Sequence, residues 1–221
     1  MLSLVPLVMA FLALAVIAHD AVRGTVVDHA VLAWLVDHRH GWLTTVAVMV
    51  TNAGGPVMAA MMAALAAVML WWRLRSPIPG LVVVGTLAGA YGISTMTKAV
   101  VGAHRPPRTV QLILEVDPSF PSGHVTGTLT LAGIVAVVVG RHRRHTVRWA
   151  LAFGVVTVTA AVALTRLYLG VHWLTDICGG LLLGSVAVVL GSATLAAVAS
   201  PEMRPGGDRA EPPVGEVTRV A

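Results

Sequence analysis

Long apolar runs without charge alternate with short polar stretches along most of the chain. Residues 1–18 carry no charged side chain, and neither do 43–72, 78–97, 149–165 or 177–200. Runs of about 18 or more apolar residues are long enough to cross the hydrocarbon of a bilayer as helices. The run 125–140 is shorter but can borrow length from both flanks. The pattern predicts an all-α chain with six spans. Residues 1–18 lack the basic start and short apolar core of a secretory signal, so they are expected to remain as the first span. The run 43–72 is too long for one straight span. Gly54-Gly55-Pro56 inside it predicts a break or kink, because Pro removes a backbone donor and clashes with the preceding turn. Between the first two spans, Val27, Val31, Trp34 and Leu35 recur at helical spacing. This predicts a short amphipathic helix at the interface, with Trp34 and Trp42 at headgroup level. Residues 1–200 form one membrane domain on this reading. Residues 201–221, rich in Pro, Gly and charge, form a disordered cytoplasmic tail.

Composition supports a membrane chain over a soluble one. Hydrophobic residues make up 57% and charged residues 11%, against about 25% charged in soluble proteins. Mean hydropathy is +0.83. The net charge of +5 would suit nucleic acid or an anionic surface. The arginines, however, cluster in short loops between spans, which reads as membrane orientation, and no nucleic-acid partner is expected. Cys178 is the single cysteine and falls within a span. His19, His29, His38 and His40 share one polar stretch without the tight spacing of metal ligands. No metal or cofactor is expected.

Three clusters interrupt the apolar pattern. The first runs from Lys98 to Arg105-Pro106, the second is Phe120-Pro121-Ser122-Gly123-His124, and the third runs from Thr165-Arg166 to His172 and Asp176. Ionisable groups beside spans are costly and point to a functional site. The first two clusters flank one loop. Two further spans return the third cluster to the same face. Lys98, Arg105 and Arg166 would repel one another there unless an anion with several oxygens joins them, and phosphate fits. Ser122 is expected to cap the fourth span, with the N–H groups of Gly123 and His124 turned to the anion. His172 and Asp176, four apart, share a helix face. A carboxylate on one imidazole nitrogen leaves the other free to attack. His124 then serves as acid and base. His104 lies inside the first cluster and is a candidate to line the pocket.

The motifs resemble, in order and spacing, K-x6-R-P, P-S-G-H and S-R-x5-H-x3-D of the type 2 phosphatidic acid phosphatases, the PAP2 superfamily, over residues 98–176. Thr165 stands where that family usually has Ser and keeps the hydroxyl. The resemblance implies a six-transmembrane-helix bundle of the PAP2/haloperoxidase-like type and a metal-independent phosphatase. Its catalytic groups would be His172, His124 and Asp176; its phosphate-binding groups would be Lys98, Arg105, Ser122, Gly123 and Arg166. The partners expected are the bilayer and a lipid phosphate or diphosphate of the undecaprenyl diphosphate, phosphatidate or phosphatidylglycerophosphate type. A phosphotransferase of the same family and an inactive lipid-binding or transport protein are the alternatives; the complete set of catalytic residues argues against the latter. The family's vanadium haloperoxidases share the anion pocket but are typically soluble. Arg73 and Arg75 in one short loop, and Arg141, Arg143, Arg144 and Arg148 in another, place those loops in the cytoplasm by the positive-inside rule. The three clusters then face outward from what composition suggests is a bacterial plasma membrane. An outer-leaflet substrate such as undecaprenyl diphosphate is favoured on that ground.

Overall fold

The computed structural model describes residues 4–198, and these form eight α-helices and one short 3-10 turn, with no strand among the described residues. The helices are α1 (Leu4–Asp20), α2 (Val26–Asp37), α3 (Gly41–Ala53), α4 (Pro56–Leu74), α5 (Ile78–Val101), α6 (Gly123–Gly140), α7 (His145–Tyr168) and α8 (Leu174–Val198). The 3-10 turn, Arg108–Val110, lies in the loop between α5 and α6. Helices α4 to α8 are each long and apolar enough to cross a membrane. α1 adds a shorter apolar helix of 17 residues. The chain is an integral membrane protein, all-α as its apolar runs predict. The expected tail at 201–221 lies outside the described residues.

The long second run is divided where Gly54-Gly55-Pro56 predicts, but into two helices with different tasks. α3 ends against α7, where Gly54 leaves room for the Val162 side chain. α4 begins with Pro56 at its first position, where the missing N–H costs nothing. The break lies beside the site, since a Cβ on Gly55 would stand 3.7 Å from Nε2 of His124.

α2 is present as the short helix expected after the first span, and it turns a polar residue inward. Asp28 and Leu32 are buried, while Val26, Val27 and Trp34 are exposed. The reason is polar. Thr25 and Asp28 form a capping box at the start of α2. The same Asp28 carboxylate accepts from the backbone N–H (2.8 Å) and hydroxyl (2.8 and 3.0 Å) of Thr175. One buried carboxylate thus satisfies the free N–H groups at the starts of two helices. Trp34 and Trp42 are 60% and 71% exposed.

α6 packs against α4, α5, α7 and α8. Lipid surrounds such a bundle, so close contact between helices depends on small residues. On α8, a Cβ at Gly180 would come within 2.9 Å of the Ser122 carbonyl, and one at Gly179 within 2.4 Å of the Phe120 ring. Those two glycines let the segment before α6 lie directly on α8. Phe120 is fully buried there and stacks on Phe11 of α1 at 5.8 Å. The approach brings the start of α6 and the start of α8 to one place.

Candidate active site

α8 supplies the acid and the turn before it supplies the imidazole. Asp176 is the third residue of α8, and its Oδ2 accepts from the N–H of Trp173 (2.8 Å) and from Nδ1 of His172 (3.1 Å). Its Oδ1 accepts from the Ser119 hydroxyl at 3.2 Å. Nε2 of His172 lies 3.1 Å from Nη1 of Arg105. A guanidinium can only donate, so Nε2 is the acceptor and the ring proton sits on Nδ1, toward Asp176. The i, i+4 spacing therefore produces the orientation expected from the sequence. His172 is 1% exposed. Burial, reinforced by Arg105, Arg166 and Lys98, holds its pKa well below the ordinary 6.5 and keeps the ring neutral.

α6 supplies His124 in its first turn. Arg166, from the last turn of α7, lies 3.5 Å from His124 Nε2 through its Nη1. The same Nη1 donates to the Thr51 hydroxyl of α3 at 3.0 Å. His124, His172, Lys98 and Arg105 line one cavity of about 830 Å³. Arg166 closes in on it through His124. Every ionisable group expected at the site is brought together.

Some details differ from expectation. Ser122 holds the position before α6, but its side chain makes no capping hydrogen bond. Its hydroxyl is buried without a protein partner. The Ser122 N–H donates to the Asp176 carbonyl instead (3.1 Å), which ties α6 to α8. The Thr165 hydroxyl bonds back to the Val162 carbonyl (2.7 Å). His104 contributes its main chain rather than its ring. Its carbonyl accepts from the Trp173 indole (2.7 Å) and the Ser119 hydroxyl (3.2 Å), while the residue itself is exposed.

Two carboxylates absent from the sequence-based site sit inside it. Glu115 Oε1 takes Nη2 of Arg166 at 2.5 Å, and its Oε2 lies 3.8 Å from Arg105. Asp117 takes Arg105 at 2.7 Å and Lys98 at 3.1 Å. Lys98 also donates to the Pro118 carbonyl. The two cations hold the Asp117 carboxyl below its ordinary pKa against the opposing effect of burial. All three cations expected to bind an anion are thus paired with acids from the α5–α6 loop. The only signal in the sequence was that this loop carries both signs of charge next to the first motif.

The PAP2 superfamily model matches residues 79–198. Phosphatidylglycerophosphatase B of Bacillus subtilis (strain 168) is 34% identical over 82 residues, 35% of this chain. That match spans 39% of the length of the curated relative. The crystal structure of the transmembrane PAP2-type phosphatidylglycerolphosphate phosphatase from Bacillus subtilis superimposes with a TM-score of 0.81 at 23% identity, covering 92% of this chain and all of that one. Aquifex aeolicus LpxE superimposes with a TM-score of 0.60 at 14% identity, over 76% of this chain and 96% of that one. At those identities the two structures speak for the fold. The family model covers over half the chain and contains all three motifs, and on this evidence the chain belongs to the PAP2 superfamily.

Proposed function

We propose that the chain is a membrane lipid phosphatase that removes a terminal phosphate through a phosphohistidine on His172. The observation that carries this reading is the Asp176–His172–Arg105 array, in which one imidazole nitrogen is held by a carboxylate and the other faces a cationic cavity. The phosphate of the substrate takes the N–H groups of Lys98, Arg105 and Arg166 from Asp117 and Glu115. Arg105 then releases Nε2 of His172, which attacks phosphorus in line with the leaving oxygen. The incoming dianion favours a proton on His124, and His124 passes it to the leaving lipid oxygen as the P–O bond breaks. Water next loses a proton to His124 and attacks phosphorus, forming a P–O bond as the P–N bond breaks, which releases phosphate and restores neutral His172. The three cations stabilise the charge on the equatorial oxygens throughout. They occupy the role that metal ions play in other phosphoryl-transfer sites, so this mechanism needs no metal.

The two Bacillus subtilis relatives named above act, by name, on phosphatidylglycerophosphate, and a lipid phosphate is the substrate class we assign. The bilayer holds the lipid tail while the phosphate enters the site. The basic turns at Arg73–Arg75 and Arg141–Arg148 lie at the ends of the helices away from the site, so the active site faces the outside of a bacterial plasma membrane.

Purified protein in detergent is expected to release phosphate from at least one member of a lipid phosphate panel, with the rate surviving EDTA. His172→Ala is expected to abolish both turnover and the acid-labile phosphoenzyme trapped by quenching. Acid-labile phosphate recovered on His124 would reverse the two histidine roles. Activity restored only by added Mg²⁺ after chelation would rule out this mechanism.

A further inference from the structure

The cavity does not end at the cations. It continues along α5, lined by Lys98, Thr95, Ser94 and Tyr91. These positions are i+7, i+4, i+3 and i, one face of the helix. At a rise of about 1.5 Å per residue, Tyr91 lies about 10 Å deeper in the membrane than Lys98. Pro56 at the start of α4 and Thr95 and Ala99 on α5 are exposed, so the cavity opens sideways between these two helices.

The hydroxyls on this face differ from others on the same helix. Thr86 and Thr97 donate to their own helix, to the carbonyls of Val82 (2.6 Å) and Ile93 (2.8 Å). Ser94 and Thr95 make no such bond. The Tyr91 hydroxyl is buried without a protein partner. It rests on α6 at Gly127, where a Cβ would stand 2.0 Å away, so the glycine is what admits the ring. Thr130 and Thr159 are also unpaired, but they do not line the cavity. A polar group left unsatisfied at membrane depth is unfavourable, and the buried Tyr91 hydroxyl, with the Ser94 and Thr95 hydroxyls lining the same face of the cavity, points to a ligand that carries oxygens at that depth.

We propose that Tyr91, Ser94 and Thr95 form a second subsite that reads the linker of the substrate, hydrogen-bonding its ester or hydroxyl oxygens. These residues determine specificity for lipids whose phosphate and chains are joined through an oxygen-bearing linker, such as an acylated glycerol. A prenyl phosphate offers only hydrocarbon directly below its phosphate and would leave the three hydroxyls unpaired. Sites built to hydrogen-bond a substrate discriminate strongly against analogues without the partner atoms. Outer-face orientation alone favours undecaprenyl diphosphate, whereas the hydroxyl row favours the glycerolipid. The inference rests on the lipid phosphatase reading above.

The test compares dioleoyl phosphatidate with farnesyl phosphate in mixed micelles, for the wild type and for Tyr91→Phe and Ser94→Ala/Thr95→Val. Hydrolysis of p-nitrophenyl phosphate reports whether the site remains folded. The ratio of kcat/KM, phosphatidate over farnesyl phosphate, is expected to exceed one in the wild type. It is expected to fall about fivefold in Tyr91→Phe and about tenfold or more in the double variant, the scale of one to two lost hydrogen bonds. An unchanged or rising ratio overturns the proposal. If the double variant loses p-nitrophenyl phosphate hydrolysis, Thr95→Val alone, isosteric and at an exposed position, decides in the same way. A wild type that hydrolyses p-nitrophenyl phosphate but neither lipid overturns the lipid phosphatase reading itself.

Discussion

Glu115 lies between Arg166 and Arg105, where the proposed mechanism puts oxygens of the substrate phosphate, and Asp117 holds Arg105 and Lys98. A ligand must therefore displace carboxylates as well as bind cations. Glu115→Gln removes one competing charge while keeping the shape. Inhibition by orthovanadate is expected to tighten about three- to tenfold, the scale of one charge-assisted hydrogen bond at a part-exposed site. If Glu115 served to orient Arg166 for binding, the same substitution would weaken inhibition. The buried imidazole leads to a second expectation. Folded His172 resists a proton that the unfolded chain takes up at about pH 6.5. Below that pH the unfolded chain binds a proton at this position that the folded chain refuses, so His172 makes stability fall as pH falls. Thermal melts in detergent are expected to drop between pH 6.5 and pH 5, and His172→Gln is expected to flatten that slope. Parallel slopes for the two proteins would show that other groups govern the acid transition. The ionisable residues of the site were legible in the sequence because each motif joins cation or imidazole to a helix end. The carboxylates were not. A loop has no periodicity to fix which way Glu115 and Asp117 point, and their partners lie up to 51 residues away.

At the scale of elements, positions of helices were readable from charge-free runs, and the Gly54-Gly55-Pro56 break from the backbone limits of Pro and Gly. The inward face of α2 was not readable, because its apolar spacing competes with a polar demand from a helix far along the chain. Asp28 answers that demand by capping α8 at Thr175, one residue before Asp176. Asp28→Ala would leave those N–H and hydroxyl donors buried without an acceptor, at a cost of about 2 kcal/mol. A lower melting temperature is expected together with a fall in kcat, because the turn that aims Asp176 at His172 loosens. Asp28→Asn keeps one acceptor oxygen, which can serve Thr175 or Thr25 but not both, and is expected to recover only part of the loss. Full recovery by Asp28→Asn would show that one of the two caps contributes nothing to the fold.

For the whole molecule, the direction of the bundle decides which leaflet supplies the substrate. Val116 is 76% exposed in the α5–α6 loop, and His142 is exposed in the α6–α7 turn at the other end of α6. In a Cys178→Ser background, Val116→Cys is expected to react with a membrane-impermeant maleimide in intact cells. His142→Cys is expected to react only after lysis. The reverse pattern would turn the protein over and place its substrates in the inner leaflet.

The sideways opening between α4 and α5 also separates the traffic of the reaction. The dephosphorylated lipid can slip back into hydrocarbon past Pro56 and Thr95, while inorganic phosphate leaves past Asp117, which is about half exposed to water. On the mechanism proposed above, once the first product has gone the phosphohistidine stands between two reservoirs, one of water and one of membrane alcohols. Whichever arrives first receives the phosphoryl group. The balance between hydrolysis and transfer then follows the mole fraction of alcohol dissolved in the bilayer, not its concentration in the surrounding solution, and one unchanged active site can act as hydrolase in one membrane and transferase in another.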